Sequence, residues 1–336
     1  MPKEMAGPLR IAVAALALTL VAAAPAGAAS KGSWDRKQQR QVVKAGLMAK
    51  LPGGFHGEQP LTSDQLNQAF TALSAKTGEP PAPRLSAAPI SVTSFDAAVV
   101  SQLGLDDAAQ IFENEARSAG LTPPSYFGTE VVARLLSLRF NHPFPNEQLE
   151  LYPWDPITRA EAAYSFAQVL QMSGWQADSV REVASHFQLP AYTPDQLTPL
   201  RLAVSKIGMP YVWGGETDGP SYGQVHGGYD CSGFAWRVYK LSGNPAGAAI
   251  RGRTAAQQAG EIPKSQRIRL KDVQPGDLLF FGTARFRQRA TEQNVIHEGI
   301  AMSPDFVIHS SGQGVYVLPL YEGWLRSEFT WARRVL

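Results

Sequence analysis

The stretch HGGYDCSGFAWRVYK, residues 226–240, carries the single cysteine of a 336-residue chain. A thiol becomes a strong nucleophile when it loses its proton, so its surroundings decide whether it reacts. Apolar side chains follow Cys231 at Phe234, Ala235, Val238 and Leu241, which is helical spacing. Cys231 therefore falls in the first turn of a helix, on its inward face, with Asp230 in position to cap it. There it meets the positive end of the helix dipole and unpaired backbone N–H groups, which favour thiolate over thiol. The same groups suit an oxyanion. Composition alone leaves a buried, inert residue equally open; the helix start favours a thiol kept for chemistry.

A thiolate nucleophile needs a base. The chain has six histidines. His56 and His142 fall in loops of a helical region and His186 near the end of its last helix, where packing or surface roles suffice. His226 lies in a glycine-rich loop. His297 and His309 sit within the β-like runs VIHEGIAM and FVIHSS, on either side of the turn Ser303-Pro304-Asp305. A hairpin centred on residue 303 sets the two imidazoles directly opposite one another on one face, with Cβ atoms about 4.5–5.5 Å apart. One ring could then orient the other, as the third member of a catalytic triad does. A chance pair of buried histidines is the alternative.

The elements that must position these residues follow from pattern. Thr198-Pro199 reads as an N-cap and first-turn pair opening a helix through about Ile207. Glycine-rich loops, the cysteine helix and the runs DLLFF, VIHEGIAM, FVIHSS, GVYVLPL and FTWARRV come next. That order predicts an α+β domain with an antiparallel sheet over residues 195–336. The region before it reads as mostly helical. Val42, Val43, Leu47 and Leu51 recur at helical spacing, and Leu66, Ala69, Phe70 and Leu73 line a second helix after Thr62. The sequence GEPPAPRLSAAP (78–89) breaks the pattern as a linker, and helical periodicity returns over 96–188. PLTSDQLNQAF (60–70) and PITRAEAAYSF (156–166) repeat one motif, with Thr62 and Thr158 as caps and Glu161 completing a capping box in the second copy. Arg159 reads as a helix-surface residue, and a third copy is sought around 97–125. The expected division is 29–78, a linker over 79–95, 96–190 and 195–336.

Lys3 and Arg10 precede the uncharged run Ile11–Ala24, and Ala-Gly-Ala ends at residue 28. This is the anatomy of a secretory signal peptide over 1–28, with an apolar run shorter than the roughly 20 residues that span a bilayer. Without it, 29 basic residues face 28 acidic ones. So even a balance carries no footprint for nucleic acid. Exported proteins use cysteines in pairs, so a lone one stands out. No spacing of His, Cys, Asp and Glu suggests a metal, and no cofactor is implied.

YVWGG (211–215), DCSGF (230–234), PGDLLFF (275–281), HEGIAM (297–302) and VIHSS (307–311) stand in the order and spacing of the NlpC-type cell-wall cysteine peptidases. Over about 195–336 the chain resembles that family. The resemblance implies a stripped-down papain-like fold, with Cys231 as nucleophile, His297 as general base and acid, and His309 as its orienting partner. Tyr211, Asp230 and Ser232 fall where the family helps hold a free peptide amine. Two departures stand out: Glu298 replaces the usual apolar residue after the histidine, and a long loop separates Gly215 from Asp230. ITRAEAA (157–163) resembles the second helix of S-layer homology repeats, which implies binding to a cell-wall polymer. The implied activity is hydrolysis of peptidoglycan stem peptides outside the cell, at the γ-D-Glu–diamino acid bond. An acyl transferase on the same fold, or a non-catalytic wall-binding protein, stays open at this point.

Overall fold

Hydroxyl caps fix where three helices of the first half begin. In the structure, a computed structural model, residues 34–78, 84–85, 89–221 and 223–336 are described; the expected signal peptide and much of the proline-rich stretch lie outside them. After α1 (Arg36–Lys44), Thr62 caps α2 (Ser63–Thr77) and Ser91 caps α3 (Val92–Gln102), their hydroxyls accepting from Gln65 and Ser94 N–H. Helices α4 (Asp106–Ser118) and α5 (Phe127–Leu135) follow. Thr158 then caps α6 (Arg159–Val169), and α7 (Gly174–His186) ends the helical region. The segments leading into α2, α3 and α6 run side by side. Leu61 N–H donates to Ile157 O at 2.8 Å, and Ile157 N–H to Ile90 O at 2.9 Å. A third capped helix thus exists, but it starts at Val92, before the segment in which it was sought.

Three expectations change here. Leu47 and Leu51 are not helical: α1 stops at Lys44, Gly46 takes φ +74°, and the chain turns. Glu161 does not complete a capping box, because its carboxylate turns inward to His142 at 2.7 Å. Arg159 is not on the surface; it is 1% exposed. Its guanidinium donates to Phe55 O (2.9 Å) and Ala49 O (2.7 Å) and covers the Phe55 ring. It fastens α6 to the turns that precede α2.

The second half opens on α8 (Pro194–Val204). Thr193, not Thr198, is its cap, with Gln196 completing the box, and Pro199 lies inside the helix. Two Thr-Pro pairs stand five residues apart in this segment, and only the first has a glutamine placed to answer it. A two-stranded ribbon follows, β1 (Glu216–Thr217) with β2 (Gly228–Tyr229), then α9 (Cys231–Leu241) and α10 (Ala255–Gly260). Strands β3 (Leu278–Phe281), β4 (His297–Ala301), β5 (Phe306–Ser311), β6 (Gly314–Pro319) and β7 (Phe329–Arg333), with α11 (Gly323–Glu328) before the last, build one antiparallel sheet ordered β6-β5-β4-β3-β7. The architecture is α+β: a helical region followed by an antiparallel-sheet domain. Among the described residues no helix is long and apolar enough to cross a membrane.

One apolar core runs through both halves. Phe187 after α7 packs edge-on against Phe306 of β5 at 4.9 Å, and the Tyr192 hydroxyl donates to Met302 O at 2.8 Å. One face of the sheet, with Phe280, Ile300 and Ile308, joins Phe234, Ala235 and Val238 of α9 in this core. The other face, with Leu279, Phe281, Ala301 and Val307, closes over Leu325 of α11.

Arg159→Ala leaves two carbonyls without their donor and removes a buried side chain. We expect it to lower unfolding stability by about 2–4 kcal/mol, the range for such losses, as measured by urea denaturation. An unchanged midpoint would show that the guanidinium holds nothing.

Candidate active site

Asp230 sets the start of α9. Its Oδ1 accepts from Gly233 N–H at 2.5 Å, and Oδ2 accepts from Gly214 N–H at 3.0 Å. The cap makes Cys231 the first helical residue. Gly233 is needed there because a Cβ would run into the Gly215 carbonyl. The YVWGG segment thus lies directly against the first turn. Arg253, from the loop before α10, closes the arrangement. It donates to both Asp230 oxygens (2.9 and 3.2 Å), to Ser232 Oγ (3.1 Å), to Gly215 O (3.0 Å) and to Glu216 (2.8 Å). Ser232 Oγ adds a contact to Asp230 at 3.3 Å. Both Asp230 oxygens are therefore engaged within the fold, and an incoming amine would have to compete with Arg253.

Cys231 is a free thiol, 8% exposed. Burial pushes it up, and the neighbouring Asp230 and Glu298 carboxyls add to that push. Backbone N–H groups of Glu298 and Ser232 pull the other way but do not win. The helix start was expected to favour the thiolate; here desolvation outweighs it. Tyr211 borders the same space. Its phenol is raised by burial first, then by the neighbouring Cys231, Asp230 and Glu147.

The histidines meet across the β4–β5 hairpin. His297 Nε2 and His309 Nδ1 are 2.8 Å apart, with the rings nearly perpendicular. The expected register is off by two: Gly299, not His297, stands opposite His309. A slip of two keeps both side chains on one face, so the contact survives as a diagonal one. Gly299 makes room for it, since a Cβ there would lie 2.9 Å from His309 Cβ and 2.6 Å from Val307 Cγ2. Trp324 of α11 and Phe281 of β3 pack on the pair. Burial holds both rings neutral, lowering His297 to about 3 and His309 well below its usual value. Where α9 meets β4, the sulfur faces the N–H of Glu298, the residue after His297. The resting site is a neutral thiol with neutral imidazoles. If His297 donates from Nε2 to His309 Nδ1, its own Nδ1 lone pair is left free to take a proton.

Other histidines do different work. His142 is buried on Glu161, His186 and His56 contact nearby carbonyls, and the His226 ring lies 4.2 Å from that of Tyr152. Sequence reasoning missed the helical region's part in the site. Asn141 Oδ1 accepts from Tyr211 N–H and Glu147 Oε1 from Trp213 N–H, each at 2.9 Å, while the Tyr152 hydroxyl accepts from Gly227 N–H at 3.1 Å. One loop of the helical region thereby holds the Tyr211–Trp213 wall and the long 216–229 excursion. Among the described residues no group of three or more His, Cys, Asp or Glu could hold a metal.

Residues 208–334 match the NlpC/P60 family model. A probable endopeptidase of Mycobacterium tuberculosis is 30% identical over 123 residues, 37% of this chain and 25% of that protein. The gamma-D-glutamyl-L-lysine dipeptidyl-peptidase of Bacillus subtilis is 28% identical over 132 residues, 38% of this chain and 37% of its own. A probable peptidoglycan endopeptidase of the same organism, LytE, is 29% identical over 132 residues, 39% and 32% respectively. The chain thus spans between 25% and 37% of the length of these relatives.

Gly299→Ala tests the diagonal contact without touching either imidazole. The added methyl must push β5 away, at about 1–3 kcal/mol of overpacking, and break the ring-to-ring hydrogen bond. The expected outcome is a folded protein whose two imidazoles no longer show hydrogen-bond coupling in nitrogen NMR spectra at neutral pH. Retained coupling would show that the strands absorb the methyl.

Proposed function

Starting from an NlpC/P60 domain over residues 208–334, we propose that the protein is a cysteine endopeptidase acting on peptidoglycan stem peptides. The observation that carries this reading is the 2.8 Å contact of His297 with His309 on β4 and β5, together with a lone cysteine at a capped helix start whose sulfur meets the backbone of β4 at Glu298. The peptidase names of the relatives, one of them a peptidoglycan endopeptidase, support the substrate class.

In this reading the Cys231 proton passes to His297 Nδ1 as the sulfur attacks a stem-peptide carbonyl. The thiol and imidazole start neutral, so charge separates only as the bond forms. His309 accepts from His297 Nε2–H and keeps the lone pair aimed at the sulfur. Backbone N–H groups at the start of α9 take the oxyanion. His297 then gives its proton to the leaving amine, and afterwards draws one from water to release the acyl group from sulfur. The bond assigned is the γ-D-Glu–diamino acid amide. Tyr211 and Ser232 line the substrate approach, with Asp230 held by Arg253 behind them. In this reading residues 1–28 act as a signal peptide, placing the enzyme on the outer side of the membrane. The helical region serves by holding Tyr211–Trp213, and wall attachment through it is a separate property that a pull-down of the whole chain with purified walls would read.

Muropeptide digestion followed by product mass determination tests this. Cys231→Ala should abolish cleavage, with residual turnover below about one part in a thousand. His297→Ala should cost nearly as much. His309→Asn should cost less, since an amide oxygen still accepts from imidazole N–H. Undiminished cleavage by Cys231→Ala sinks the assignment of the nucleophile; a product carrying a new acyl acceptor in place of water makes the protein a transferase.

A further inference from the structure

The residue after His297 is the most isolated buried acid of the sheet domain. Glu298 is 0% exposed, and neither carboxyl oxygen has a hydrogen-bond partner. Strand alternation turns it away from the histidine pair toward the face covered by α9 and α10. There its backbone N–H favours charge on the Cys231 sulfur while its carboxyl opposes it.

The charged neighbours leave nothing to balance Glu298. Asp230, from the cap of α9, pairs with Arg253, which also holds Glu216. Glu261, just after α10, pairs with Arg333 of β7. His297 on its own strand is neutral, and β3 offers only Leu278–Phe281. Both cations that act on Glu298 are thus already matched to other carboxylates. A second negative charge at Glu298 would stand buried and uncompensated, a state a buried group avoids by keeping its proton. Burial, and then Asp230, hold the Glu298 carboxyl far above the ordinary range.

We propose that Glu298 is a positioning residue of the candidate site: a buried carboxyl with no hydrogen-bond partner beneath Cys231, whose negative charge, once it forms, opposes the thiolate. It sets the alkaline edge of the range in which Cys231 can react. The inference rests on the proposed role of Cys231 for its functional meaning, but the coupling of the two groups can be read without turnover.

The experiment is alkylation by iodoacetamide, followed by mass spectrometry on the intact full-length protein, whose single cysteine makes the product unambiguous. Rates are measured from pH 6 to pH 10 for wild type, Glu298→Gln and Glu298→Val. The rate ratio of each variant to wild type should climb with pH, by about tenfold across the range, because one unit of pKa is a factor of ten in thiolate. Two variants guard against one that folds poorly. Infrared difference spectra of wild type between pH 6 and pH 10 supply a reading on the native protein, with a protonated-carboxyl band expected at pH 6 and missing from Glu298→Gln. A ratio that stays flat or falls with pH overturns the proposal, as does absence of that band. Hydrolysis that survives Cys231→Ala would instead remove the nucleophile reading and leave the alkylation result standing.

Discussion

Everything near the cysteine depends on one carboxylate held in place by one guanidinium. Asp230 caps α9, accepts from Gly214 and takes Arg253 on both oxygens. Three segments distant in sequence meet there: the YVWGG wall, the first turn of α9 and the loop ahead of α10. A partly buried pair of this kind is strong when complete and costly when one member is lost. Its value here is location. It fixes the residue at which the helix begins, and so fixes where the sulfur sits relative to β4.

The same burial that orders the site keeps it uncharged. Backbone N–H groups at the helix start favour a thiolate, yet removing the sulfur from water costs more than they return. The imidazoles are neutral for the same reason. A neutral pair needs no counter-ion and does not attract stray anions, and charge develops in it only together with the chemistry.

Much of this was legible in sequence, to a depth set by the range of each signal. The Cys231 helix could be read because Phe234, Ala235 and Val238 state its inward face within a few residues. For the histidines, alternation gave the face but not the register. A two-residue slip leaves that face unchanged, so pattern cannot detect it, while a glycine at 299 decides which residue stands opposite His309. Arg159 misled because an arginine one residue after a cap resembles any helix-surface cation; its acceptors, Ala49 and Phe55, lie more than a hundred residues earlier. Asn141, Glu147 and Arg253 gave no local signal at all. Each is a single polar residue in a loop or short turn, and part of its meaning comes from backbone groups contributed by a distant segment. Glu298 stood out as an odd residue in its motif, but that it has no partner is a property of the packed sheet.

The loop that carries Asn141 and Glu147 has a consequence for how such a chain can be recombined. Two acceptors from the first half finish backbone hydrogen bonds in the second, and a common apolar core lies under them. A seam of this kind does not behave like a hinge between interchangeable cassettes. Grafting residues 195–336 onto another leader would take Phe187 away from Phe306 and leave the Tyr211 and Trp213 amides without their acceptors. The two halves are therefore expected to travel through evolution as one inheritance, each constraining which substitutions the other can accept.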